Sequence, residues 1–111
     1  VSVPSMDWFM EQDDAYIDSV LPRDVKARVS VEAATSMPWF RFLGEYGRAV
    51  SLEHFGASAP GAELFERLGF TTENVVRTAR ETLECVREQR SVATSVRVGD
   101  TEAEPTRGDG R

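Results

Sequence analysis

One cysteine, one histidine and no long apolar run set the first limits on this chain of 111 residues. With Cys85 alone, no intrachain disulfide can form and no thiolate cluster can hold a metal, and a reducing compartment suits the chain best. No stretch approaches the ~18 apolar residues of a membrane span, and no basic segment followed by an apolar run opens the chain. The expectation is a cytoplasmic protein without a membrane partner. Positive charge is also short: 13 Lys and Arg stand against 19 Asp and Glu, for a net charge of −6. Binding to a phosphate backbone relies on clustered cations that release counterions, which argues against a nucleic-acid partner. Walker loops, paired Rossmann glycines, CxxC, HExxH and GxSxG do not occur.

What remains is an ordinary globular composition, 41% hydrophobic and 29% charged, with room for one domain and one modest core. Asp7, Glu11, Asp13, Asp14 and Asp18 fall close together without a base among them, and read as a solvated helix face.

Alternation at Val1 and Val3 ends at Pro4, as the end of a strand would. A chain that opens on Val1 in this way reads as an unusual start or as a piece of something longer. Ser5 is placed to cap a helix, with Asp7 in its first turn, and Trp8, Phe9, Gln12 and Tyr16 share one face of it. Ala27, Val29 and Val31 alternate with Arg28, Ser30 and Glu32 as a second strand. A short helix over 35–43 follows, with Met37, Trp39, Phe40 and Leu43 as its apolar side and Pro38 near its start. Residues 49–52 make a third strand. Ser58 caps a brief helix that turns Leu64, Phe65 and Leu68 inward, and Gly69 stands where a left-handed cap is needed. Thr71 or Thr72 caps the last helix, whose Val75, Val76, Ala79, Leu83 and Val86 recur at helical spacing. Glu73–Arg77, Arg77–Glu81 and Arg80–Glu84 are opposite-charge pairs four apart. Beyond about Gln89 the pattern ends, which assigns 1–89 to the domain and 90–111 to a disordered polar tail. The element order predicts an α/β fold, a small three-layer Rossmann-like sheet flanked by helices, with few strands for its kind.

From Leu52 the chain reads LEHFGASAPGAELFERLGFTTENVV. This resembles the closing segment of bacterial transketolases, where a Phe-Gly-x-Ser-Ala-Pro turn precedes a short helix and a Phe-Gly-Phe-Thr entry to the last helix. Here the first block is Phe55, Gly56, Ser58, Ala59 and Pro60, and the second is Leu68, Gly69, Phe70 and Thr71, with Leu68 in place of the usual Phe. The segments VSVPSMDWF and VLPRDVKARVSVEA are similar to the same family, with Ser5 where Cys is common, so the likeness covers roughly 1–88. It implies a transketolase C-terminal domain that lacks its first strand and helix. It also implies an enzyme of the pentose phosphate pathway that uses thiamine diphosphate and a divalent metal to pass a two-carbon ketol from a ketose phosphate to an aldose. In that family the cofactor ligands lie on the two preceding domains, paired across a dimer. The implied partner is therefore a polypeptide carrying the cofactor and pyrimidine domains, or the rest of the same chain. The segment alone is expected to bind no cofactor and to be inactive.

His54, Phe55, Gly56, Ser58 and Pro60 form a candidate interdomain contact loop, set against a purely structural turn. His54 has no catalytic neighbour in sequence and reads as a polar loop residue rather than an acid–base group. Cys85, beside Val86, reads as a small buried or half-buried residue rather than a nucleophile. The strings Gly108-Asp109-Gly110 and Arg107-Gly108-Asp109 imitate a cofactor metal motif and an integrin tripeptide, and both are chance matches in a polar tail. The second reading of the whole chain is a stand-alone protein-interaction module derived from a transketolase domain.

Overall fold

A computed structural model of the chain describes residues 1–52 and 61–99. Five α-helices and two strands follow one another there: α1 (Met6–Met10), α2 (Asp14–Val20), β1 (Val29–Val31), α3 (Phe40–Leu43) entered through a 3₁₀ turn at Met37–Trp39, β2 (Arg48–Val50), α4 (Gly61–Arg67) and α5 (Thr72–Gly99). The two strands pair in parallel, with Val29 opposite Arg48 and Val31 opposite Val50. A parallel pair needs a crossover, and here α3 lies within it. Helix α5 packs against both strands. The class is α/β, as the element order predicts.

The first helical region is two helices, not one. Ser5 caps α1, its Oγ accepting from the Trp8 N–H at 3.3 Å. Asp13 then turns extended (φ −66°, ψ 157°) and its carboxylate accepts from the Tyr16 N–H at 2.8 Å, which starts α2 afresh. Carboxylate caps of this kind satisfy a donor that the helix itself leaves orphaned. Across the break the rings of Phe9 and Tyr16 still meet edge to face, 6.3 Å apart.

Four further expectations are corrected. Val1–Pro4 joins no sheet among the described residues, and the sheet has two strands there rather than three. Val1 and Val3 instead line the same cleft as Val29, Ser30 and Val31, so they face β1 across space rather than through a ladder. The helix expected over 35–43 begins as a 3₁₀ turn, because Pro38 has no N–H to give and Trp39 N–H closes on the Ser36 carbonyl at 2.9 Å. Its buried side is Phe42 and Leu43, while Met37 and Phe40 stand exposed. Phe42 is the ring at the centre, with Phe9 at 5.7 Å and Trp39 at 6.0 Å.

Helix α5 is the third correction. It continues to Gly99, ten residues beyond the expected end at Gln89. Its buried face is polar in name: Thr82 is fully buried and Thr78 nearly so, whereas Val76 and Leu83 are exposed. Each threonine returns its hydroxyl to the carbonyl four residues back, Thr78 to Asn74 at 2.8 Å and Thr82 to Thr78 at 3.0 Å. The hydroxyls are thereby satisfied within the helix, and the methyl groups are left for packing. The helix starts as expected, with Thr71 Oγ1 accepting from the Asn74 N–H at 3.2 Å. Gly69 before it has φ +84°, a conformation that L side chains rarely adopt, and Asn74 Nδ2 donates to its carbonyl at 2.7 Å. Of the charge pairs read along α5, Arg77–Glu81 is formed at 3.2 Å. In α4, Phe65 is exposed rather than inward, and its ring meets Phe70 at 5.6 Å.

Phe42, Leu43 and Val50 are the buried hydrophobic residues among those described, joined by Ser30, Ser36, Thr78 and Thr82. That core is small for a domain of this length.

Candidate functional site

The loop that the sequence singles out, with His54, Phe55, Gly56, Ser58 and Pro60, lies outside the described residues. Cys85 is half-buried as expected, with Arg48 Nη2 3.9 Å from its Sγ. The surface that draws attention instead is the open edge of β1.

In a parallel pair, alternate residues of a strand turn their backbone groups toward the same neighbour. Arg48 N–H donates to the Arg28 carbonyl and Glu32 N–H donates to the Val50 carbonyl, each at 3.0 Å. Even-numbered residues of β1 and its flanks therefore serve β2, and the backbone groups of Val29 and Val31 point to the edge that carries no strand among the described residues. Beside that edge lies a cleft of about 310 Å³ lined by Val1, Val3, Trp39 and the β1 residues. The Ser30 hydroxyl is buried and finds no hydrogen-bond partner among the described residues. A buried hydroxyl left without any partner costs about 1–3 kcal/mol, so the position favours a group that can bond to it.

Apolar exposure extends the surface. A hollow of about 550 Å³ opens between Val1, Val3, Trp8, Phe9, Tyr16 and Val20, and Trp8 is 73% exposed. Large apolar groups gathered in this way mark a contact surface rather than a finished exterior.

One residue behind this edge departs from the alternation of the strand. The pattern places Arg28 on the face opposite Ala27 and Val29, yet the residue is half-buried and its guanidinium donates to four backbone carbonyls. Nε reaches Val25 at 3.0 Å, Nη1 reaches Phe42 at 2.6 Å, and Nη2 reaches Leu21 at 3.2 Å and Pro22 at 2.7 Å. It gathers the end of α2, the approach to β1 and the end of α3 around one planar cation. An Arg flanked by apolar strand residues, shortly after Leu-Pro, is the only sequence signal of this clamp.

The described residues bring together no group of three or more His, Cys, Asp or Glu side chains that could hold a metal. Among them, no helix is long and apolar enough to cross a membrane.

The family model described as the transketolase-like TK C-terminal domain matches residues 1–71. Transketolase 1 of Vibrio vulnificus (strain YJ016) and Transketolase 1 of Escherichia coli (strain K12) are each 51% identical to the chain over 83 residues, covering 75% of it and 12% of the relative. Transketolase 1 of Vibrio cholerae serotype O1 is 48% identical over the same length and shares. The chain thus spans 12% of the length of these curated relatives.

Proposed function

We infer the role of this chain from its family: it belongs to the transketolases, through their C-terminal domain, and we propose that it is the non-catalytic C-terminal part of such an enzyme. In this reading the complete enzyme depends on thiamine diphosphate and a divalent metal and moves a two-carbon ketol from a ketose phosphate to an aldose acceptor. In this reading the groups that hold the cofactor lie on the two preceding domains of the family, outside the segment that this chain matches. Cofactor binding is therefore assigned to the polypeptide that carries the remaining domains, as part of the same chain or as a separate subunit, in a dimeric cytoplasmic assembly.

The observation that carries the reading is the combination of a 12% share of the relatives' length with an edge of β1 that no strand covers among the described residues. A surface that leaves a hydroxyl orphaned and aromatic rings in solvent is completed by contact with more protein. We assign the main contact to the β1 edge and the Trp8–Tyr16 hollow, and a second contact to the loop with His54, Phe55, Gly56, Ser58 and Pro60.

The test pairs the chain with a transketolase polypeptide from which the matching segment has been removed. The two are expected to copurify and to restore ketol transfer that the truncated polypeptide does not sustain at working temperature. Ketol transfer at full rate and stability without the chain, together with no association, would leave the stand-alone interaction module as the better reading.

A further inference from the structure

A second cleft, of about 360 Å³, is lined by Arg23, Lys26, Arg28, Arg41, Glu45 and Tyr46 among others. Four of the lining residues are cationic and one is acidic, in a chain whose net charge is −6. We propose that this cleft binds a phosphate group, carried by a small organic ester or free in solution. The proposal does not depend on the role proposed above.

The four cations are not equivalent. Arg23 already faces the carboxylates of Asp18 at 3.4 Å and Asp14 at 4.0 Å, so its charge is largely answered. Arg28 is held by four carbonyls and by no carboxylate among the described residues, so its charge is solvated by dipoles but not neutralised. Those four bonds fix the plane of the guanidinium and, among the described residues, leave one of its five N–H donors unused. Lys26 and Arg41 are exposed and have no ion pair among the described residues. The cleft therefore offers one immobilised cation and two that are free to close on a ligand.

This arrangement suits a compact dianion. Guanidinium groups bind two oxygens of a phosphate at once, and an ammonium adds a point charge with three donors. Tyr46, also in the lining, carries a hydroxyl that can serve as a neutral donor, while a carboxylate such as that of Glu45 repels a bare anion and accepts from a hydroxyl. A phosphate joined to a small hydroxylated body uses both. The volume lies at the low end of small-molecule clefts, larger than inorganic phosphate alone requires. A nucleic acid would need such charge spread over a face, which the acidic remainder of the chain does not supply.

The test is amide NMR on the full chain, titrated at constant ionic strength with inorganic phosphate, glycerol 3-phosphate and glycerol. The phosphate-bearing probes are expected to give saturable shifts at Gly44, Glu45 and Tyr46, and glycerol none. Tighter binding of glycerol 3-phosphate identifies an ester as the ligand, and equal binding identifies free phosphate. The double variant Lys26→Gln, Arg41→Gln should melt like the parent and bind at least about tenfold more weakly, the loss expected for two charge-assisted contacts. Three results would overturn the proposal: shifts that match those from chloride, affinity unchanged in the double variant, or cleft shifts that arise only on adding the remaining transketolase polypeptide. The last would make the cleft a protein contact.

Discussion

The guanidinium of Arg28, a residue next to β1, donates to the carbonyl of Phe42 at the end of α3 across 2.6 Å. With three more carbonyls at Leu21, Pro22 and Val25 it closes three chain segments on one side chain. Lysine has the charge but not the planar fork, so it cannot replace this set. Arg28→Lys is expected to lose about 2 kcal/mol of stability, in line with bonds to a charged group that are only partly recovered. The measurement is the urea midpoint at unchanged slope. Coincident curves for the two proteins would show that the clamp contributes nothing net.

Part of this architecture is legible in the amino-acid order alone. The roles of Ser5, Thr71 and Gly69 can be read there because a cap depends on local chemistry, on one side-chain oxygen or on the absence of a Cβ. The strands around Val29 and Ala49 follow from alternation. Long-range geometry is not written in the pattern. Arg28 looks like any polar residue on the far face of a strand, and its four partners lie three to fourteen positions away. Thr78 and Thr82 escape a search for apolar periodicity because threonine counts as polar, although back-bonding within the helix frees its methyl group for the core. The phosphate cleft is assembled from residues 23–46 by the return of the chain through α3, and no spacing rule announces it.

Asp13 gives the clearest local test, since it turns one apparent helix into two. Asp13→Ala is expected to cost about 1 kcal/mol, as loss of a carboxylate cap does, and Asp13→Asn much less. Hydrogen exchange should quicken at the Tyr16 amide, which donates to this carboxylate. If the alanine variant instead gained stability through a continuous helix, the break at Glu11–Asp13 would be a tertiary constraint rather than a capping effect.

Thr82 separates shape from polarity in the α5 face. It is fully buried, and among the described residues its hydroxyl bonds only within its own helix. Thr82→Val keeps the branched shape and removes the hydroxyl without leaving a new orphan, so stability should change by less than about 1 kcal/mol. Thr82→Leu adds volume at a fully buried position and should lose about 1–3 kcal/mol. Thermal melts of the two variants decide this. A valine variant as unstable as the leucine variant would mean that the hydroxyl has a partner beyond the helix.

The edge of β1 predicts how the chain behaves on its own. Among the described residues no strand pairs with the side of β1 to which Val29 and Val31 turn their backbone groups, the Ser30 hydroxyl is buried without a partner, and Val31 is 51% exposed. An uncovered strand edge beside exposed apolar groups is a template for another strand, from any copy that comes near. The isolated chain is therefore expected to associate, with a light-scattering mass that rises with concentration. Val31→Lys places a charge at the edge, and should suppress that rise without lowering the melting temperature, because the position contributes little to the core. Supplying a transketolase polypeptide without its own matching segment should raise the melting temperature of the parent, by an amount equivalent to about 2.7 kcal/mol at a hundredfold excess over its dissociation constant. The lysine variant should gain much less from it. A parent that stays monomeric at every concentration, or a lysine variant stabilised as fully as the parent, would show that the edge is not the surface through which this chain meets its partners.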